Sequence, residues 1–211
     1  MENQLSNIAN KLDSGDPQQM MEVPDDVLAA IEKGATAKEI LGKGILSGME
    51  KLGQKFKRNE VFIPEVLLAA KSVNAALEIL RPLMKSENIK PLGKIVLGTV
   101  KGDLHDIGKH LVGILLEGSG WDVIDIGINV AAERFVEAAK EHQADIVGLS
   151  ALLTTTMPEM ENVIKTFKNA GLNTKIMVGG APITQELADK IGADGYAPNA
   201  VETVGLVKGI I

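Results

Sequence analysis

Gly102-Asp103-Leu104-His105-Asp106-Ile107-Gly108 sets one histidine between two acids on a turn bounded by glycines. Such a turn suits a metal held by one neutral imidazole, with the neighbouring carboxylate fixing the tautomer and raising the basicity of the ring. Taken alone, His105 reads equally as an exposed turn histidine. The other two histidines, His110 and His142, fall at helix-surface positions, and the chain has no cysteine. A zinc-type site built from protein alone usually needs three or more ligands. A metal on His105 therefore needs its remaining ligands from another source, as a macrocycle supplies them.

The elements around this turn come in two kinds. Up to about Asn88 the pattern is helical. Thr36 and Glu39 have the spacing of a capping box. After them Ile40, Leu41, Ile45, Met49, Leu52 and Phe56 form a helical stripe. Gly42, Gly44, Gly48 and Gly53 interrupt it. Each interior glycine costs about 1 kcal/mol relative to alanine, so close approach of another helix or of a flat ligand is expected as compensation. Pro64 opens a second long helix. With shorter segments near Leu5–Leu12 and Asp25–Glu32, residues 1–88 read as a four-helix bundle.

Residues 86–94 are a polar break with proline and glycine, after which the period changes. Strand-like runs at Lys94–Val100, Asp122–Ile128, Ile146–Leu152, Lys175–Val178 and Gly195–Ala197 alternate with helical patterns near Ile107–Gly118, Ala131–His142, Pro158–Ala170, Thr184–Ile191 and Ala200–Lys208. Residues 89–211 are thus expected to form an α/β domain, a five-stranded parallel sheet with helices on both faces. In such a sheet the loops after the strands share one edge. That edge collects the His105 turn, Ser150–Thr156, Gly179-Gly180 and the loop ending at Ala200. Gly179-Gly180 reads either as an ordinary turn or as a place where backbone passes close to a bulky ligand. Thr154-Thr155-Thr156 reads either as a helix cap or as a source of hydroxyls for a ligand.

Composition narrows the class. In 211 residues, 45% are hydrophobic and only 3% aromatic, with a net charge of −6. That is enough apolar material for a core, with no basic footprint and no stacking platform for nucleic acid. No apolar run approaches the ~20 residues of a membrane span. The polar N-terminus lacks a signal-peptide core, and the absence of cysteine fits a reducing interior. A cytoplasmic protein is expected. There is no GxGxxG or GxxxxGK[ST] loop, no HExxH, no EF-hand and no GxSxG elbow.

Asp103-x-His105-x-x-Gly108, then 41 residues, Ser150-x-Leu152, then 26 residues and Gly179-Gly180 resemble the cobalamin-binding signature of base-off/His-on corrinoid proteins. The resemblance covers nearly the whole chain. Its first half is similar to the helical cap domain of cobalamin-dependent methionine synthase. Its length is similar to that of the small corrinoid proteins of methanogenic and acetogenic methyltransferase systems. The resemblance implies a Rossmann-like domain behind a helical cap, and a corrinoid such as cobalamin.

His105 would then be the lower axial ligand of cobalt in place of the cofactor's benzimidazole. Asp103 would hydrogen-bond its far nitrogen, and Thr156 would stand where the family's relay has a serine. Gly108 would leave room for the nucleotide tail. Ser150, Leu152, Thr154, Gly179, Gly180 and Ala200 would line the channel of that tail, with Gly102, Leu104, Asp106 and Ile107 completing the binding turn. Phe56 and Ile63 fall at the apolar positions that cap the upper face. The implied function is a methyl carrier. It would accept a methyl group on Co(I) from a substrate-specific methyltransferase and pass it from methyl-Co(III) to a second one. A reductive activase would serve the system, and residues 86–94 would act as the hinge. A cobalamin-dependent sensor module and the cobalamin subunit of a mutase share the motif and stand as alternatives.

Overall fold

The structure, a computed structural model, describes residues 2–210. It divides into two compact units. One runs to Pro91 and takes in Glu117–Gly120; the other comprises Leu92–Leu116 and the chain from Trp121 onward.

The helical unit contains α1 (Glu2–Leu12), α2 (Pro17–Met21), α3 (Val23–Glu32), α4 (Ala37–Glu39), α5 (Ser47–Lys57) and α6 (Ile63–Ser86). The capping box expected at Thr36 and Glu39 is present: Thr36 Oγ1 accepts from the Glu39 N–H at 3.2 Å, and Glu39 accepts from the Thr36 N–H at 3.1 Å. The helix expected to follow is not uniform, because Ile40–Leu46 is a π-helical segment between α4 and α5. Its wider turn allows Ile40 and Ile45, five residues apart, both to be fully buried. At the other end of α6, Glu87 reaches the start of α4, accepting from the Ala37 N–H at 2.9 Å.

Two of the stripe's glycines are explained by α1. A Cβ on Gly48 would lie 2.9 Å from both the Ala9 carbonyl oxygen and Leu12 Cβ, and one on Gly44 would lie 3.1 Å from Ile8. A Cβ on Gly42 would meet nothing within 4 Å. Gly48→Ala is therefore expected to destabilise by about 1–3 kcal/mol through overpacking, whereas Gly42→Ala should stabilise by up to about 1 kcal/mol. Urea unfolding of the two variants beside the parent checks this, and equal midpoints would refute it.

The α/β unit is a five-stranded parallel sheet of order β2-β1-β3-β4-β5, made of β1 (Lys94–Thr99), β2 (Asp122–Asp125), β3 (Ile146–Ser150), β4 (Lys175–Gly179) and β5 (Gly195–Ala197). Its helices are α7 (Ile107–Gly118), α8 (Ala132–His142), α9 (Met157–Asn169), α10 (Gln185–Ile191) and α11 (Ala200–Ile210). One face of the sheet packs Phe135 of α8, Phe167 of α9 and Ala188 of α10 on Val96, Val147 and Val178. The other packs Leu116 of α7 and Val207 of α11 on Ile95, Leu97, Ile146 and Met177.

Strand β2 is shorter than its apolar pattern. Asp125 turns its side chain onto the Gly127 N–H at 2.8 Å, and Gly127 has φ +93°. Strand geometry cannot continue through a positive φ.

Candidate metal centre

Strands β1 and β3 are neighbours, yet the chain leaves β1 for β2 on one side and continues from β3 to β4 on the other. At such a switch point the two departing loops diverge and open a crevice at the carboxyl edge. The His105 turn leaves β1 and Ala151–Thr156 leaves β3, so both border that crevice. Register aligns Thr99, Ser150 and Gly179 side by side at the strand ends.

The chain reverses out of β1 through a turn closed by the Asp103 N–H on the Val100 carbonyl at 3.1 Å. Gly102 occupies its third position at φ +81°, the type II geometry that favours glycine. Buried Thr99 then donates its hydroxyl to the His105 carbonyl at 2.9 Å. These bonds fix the main chain on both sides of the histidine.

The Asp103 side chain is fully buried and divides its two oxygens between the loops. Oδ1 accepts from His105 Nδ1 at 2.7 Å and from the His105 N–H at 3.1 Å. Oδ2 accepts from the N–H groups of Leu152 at 2.8 Å and Leu153 at 3.2 Å, and from the Thr156 hydroxyl at 2.8 Å. Burial alone would raise the pKa of this carboxyl. The Leu152 N–H, followed by the bonds from the His105 ring, the His105 N–H and Thr156, outweighs burial and holds it well below the usual carboxylate range.

An ionised Asp103 only accepts, so Nδ1 of a neutral His105 carries the proton. The Nε2 lone pair is then left unprotonated. No described residue bonds Nε2, and the side chain is half-exposed. Thr156 has one hydroxyl proton and two acceptors in reach, Asp103 Oδ2 and the Leu153 carbonyl at 2.9 Å. Although it precedes α9, its side chain does not cap that helix.

The other expected positions fall as follows. Leu104 and Ile107, 67% and 79% exposed, flank His105, and Leu152 and Ile128 at the same edge are also exposed. Asp106 accepts the His110 N–H at 2.8 Å, opening α7. A Cβ on Gly108, in the first turn of that helix, would meet nothing within 4 Å. Ser150 ends β3 half-buried, and Thr154 is exposed. Gly179 ends β4. Gly180 lies so close to β3's exit that a Cβ would sit 1.8 Å from the Ala151 carbonyl oxygen. Ala200 begins α11, where Asn199 accepts the Glu202 N–H at 3.0 Å. Phe56 and Ile63 flank the α5–α6 connection of the helical unit; Phe56 is half-buried, and Ile63 is 52% exposed beside exposed Phe62.

Reading the sequence missed three residues around the turn. Asn129 bonds Gly102 and Asp103, and buried Lys109 pairs with Asp125. The signal for Asn129 was turn chemistry, Gly127-Ile128-Asn129, in which asparagine tolerates a positive φ. For Lys109 it was a lysine in the first turn of a mostly apolar helix.

Among the described residues no group of three or more potential ligands converges on a metal ion. The donor set is one carboxylate-held imidazole with its outer nitrogen free, rimmed by exposed apolar side chains and an open first turn at Gly108. This donor set fits a cobalt corrinoid, for which His105 Nε2 would be the nitrogen the protein supplies. Fold and site define an α/β protein with a single carboxylate-held imidazole exposed at the carboxyl edge of its parallel sheet.

The chain belongs to the B12 binding domain family, matching it over residues 93–205 and, through a second family of the same description, over residues 5–81. It is 48% identical over 193 residues to dimethylamine corrinoid protein 1 of Methanosarcina acetivorans, covering 89% of this chain and 91% of that protein. A cobalamin-binding protein from Desulfitobacterium hafniense DCB-2 is similar in structure at a TM-score of 0.82 and 32% identity, covering 98% of each chain. A chain of the methanol:cobalamin methyltransferase complex MtaBC from Methanosarcina barkeri matches at 0.82 and 25% identity, over 99% of this chain and 79% of that one. No helix among the described residues is long and apolar enough to cross a membrane.

Proposed function

We propose that this protein is the corrinoid methyl carrier of a methylamine-type methyltransferase system. In this reading it receives the methyl group from a substrate-specific methyltransferase and yields it to a second methyltransferase, with a reductive activase keeping it competent. The family match supports corrinoid binding, and the relatives named dimethylamine corrinoid proteins support the methylamine class. The cobalt of the bound corrinoid supplies the centre at which the methyl group is taken up and released.

The single observation carrying the axial-ligand reading is the Asp103–His105 pair with Nε2 unbonded by protein. His105 would hold the cobalt through Nε2 in place of the cofactor's own base. Asp103, by accepting the Nδ1 hydrogen bond, would keep Nε2 available as the nitrogen offered to the cobalt and would hold the ring in place when it is not so engaged. Thr156 adjusts by turning its hydroxyl between Asp103 Oδ2 and the Leu153 carbonyl.

The test is to load the protein with cobalamin whose benzimidazole nitrogens are nitrogen-15, reduce it to Co(II) and record its EPR spectrum beside that of His105→Ala. A three-line nitrogen-14 splitting that the variant lacks is expected. A two-line splitting from the labelled base would show that the benzimidazole stays on and would overturn the His105 assignment. Failure to retain any corrinoid would overturn the functional reading as a whole.

A further inference from the structure

The end of β2 and the loop after it hold the His105 turn at both of its ends. On the near side Asn129, at φ +54°, accepts the Gly102 N–H through Oδ1 at 2.7 Å and donates its own N–H to the Asp103 carbonyl at 3.0 Å. On the far side Asp125 pairs through Oδ2 with the ammonium of Lys109, whose side chain is 4% exposed in the first turn of α7. Asp125 is itself oriented by the Gly127 N–H on Oδ1. A buried ammonium without its partner is strongly unfavourable, so this tie is not easily exchanged for water.

We propose that Asp125–Asn129 is a two-point clamp on the His105 turn, and that Asn129 and Lys109 are positioning residues that aim His105 Nε2. The proposal rests on the reading of His105 as the axial ligand. Its physical basis is a division of labour around Asp103. The carboxylate is held from β3's exit through Oδ2, whereas the main chain carrying Asp103 and His105, bonded to Val100 and Thr99 within its own turn, is tied to the rest of the domain by the end of β2 and the loop that follows it. Cutting a clamp point lets that main chain drift while the carboxylate stays, so the Nδ1–Oδ1 alignment degrades and Nε2 loses its aim. Asn129 is exposed, and its removal leaves the sheet core untouched.

Three variants separate the elements of the clamp. Asn129→Gly keeps the positive φ and the N–H donor and removes only the Oδ1 acceptor. Asn129→Asp restores an acceptor. Lys109→Met removes the ammonium but keeps an apolar stem, leaving Asp125 free to reach solvent. Amide hydrogen exchange on the cofactor-free proteins, and Co(II) EPR on the same proteins loaded with nitrogen-15-benzimidazole cobalamin, are the two readouts.

Asn129→Gly is expected to speed exchange at Gly102 and His105 about tenfold, the effect of one lost hydrogen bond, and to lower the fraction of cobalt showing the protein-nitrogen splitting. Lys109→Met should do the same at His105, with exchange in β1 and β3 unchanged. Asn129→Asp should restore both readouts. The clamp is overturned if Asn129→Gly and Lys109→Met match the parent in both readouts, or if Asn129→Asp behaves like the glycine variant. If the parent itself shows no protein-nitrogen splitting, the axial-ligand reading fails, and the exchange rates still decide whether the clamp exists.

Discussion

With His105 as the proposed cobalt ligand, Asp103→Asn is expected to abolish that ligation although the histidine is still present. The asparagine oxygen can satisfy only one of the two donor groups that now share the carboxylate. Three donors, from Leu152, Leu153 and Thr156, face Oδ2, and the histidine faces Oδ1. If the amide oxygen turns to the three donors, the NH2 group faces His105 and donates to Nδ1. The ring proton then moves to Nε2 and blocks the ligating position. The Co(II) EPR spectrum of Asp103→Asn should therefore lack the protein-nitrogen splitting as completely as that of His105→Ala. Retention of the splitting would show that Asp103 does not set the tautomer.

The same substitution has a signature without cofactor. The His105 N–H loses its acceptor and gains a donor in its place, which should destabilise the protein by about 2–3 kcal/mol at neutral pH. Asp103 is held below the usual carboxylate range in the folded protein. Its contribution to stability is thus complete above the unfolded-state value, about 3.9, and is lost as pH falls below it, where the unfolded chain binds the proton first. Urea unfolding at a series of pH values should show the parent losing stability on acidification in this range. Asp103→Asn should show a shallower loss, because it removes that proton uptake. Equal slopes would place the acid sensitivity in other carboxylates.

Gly180→Ala should give the largest loss of stability, about 3–5 kcal/mol, although it lies outside the His105 turn. Gly180 has φ +136°, and an added Cβ would lie 1.8 Å from the Ala151 carbonyl oxygen and 2.9 Å from its carbon. That carbonyl belongs to the same peptide plane as the Leu152 N–H, which bonds Asp103 Oδ2. Planarity of the peptide means that moving one end moves the other. The substitution should therefore shift the unfolding midpoint and disturb the amide resonances of Leu152 and His105 together. A variant with parental stability, or one in which Leu152 alone is perturbed, would break the proposed link between the two loops.

Periodicity made the alternation of strands and helices legible. The strand at Gly195–Ala197 and the helix at Ile107–Gly118 fall at the limits expected from pattern alone. The π-helical segment was not legible, because Ile40–Leu46 satisfies an ordinary helical stripe equally well. Only the demand to bury both Ile40 and Ile45 while Gly44 and Gly48 receive α1 selects the wider turn. Likewise the apolar pattern through Ile128 could not show that β2 stops at Asp125, since the stop is made by a side chain folding back on the loop.

Asp103 and His105 were readable because their contact is local, two residues apart on a turn that glycine marks. The strand alternation implied that loops share an edge, and it therefore placed Ser150–Thr156 near them. The amino-acid sequence by itself thus determined the fold class, the edge that carries the chemistry and the imidazole–carboxylate pair, all of which follow from short-range periodicity and turn chemistry.

Tertiary structure alone decided which partners complete the pair. Oδ2 of Asp103 is claimed by groups about fifty residues away, Gly180 is required by the backbone of Ala151, and the His105 turn is anchored by Asn129 and by Asp125 through Lys109. Such contacts depend on strand order and register. Packing sets these through the whole core, and no local spacing encodes them.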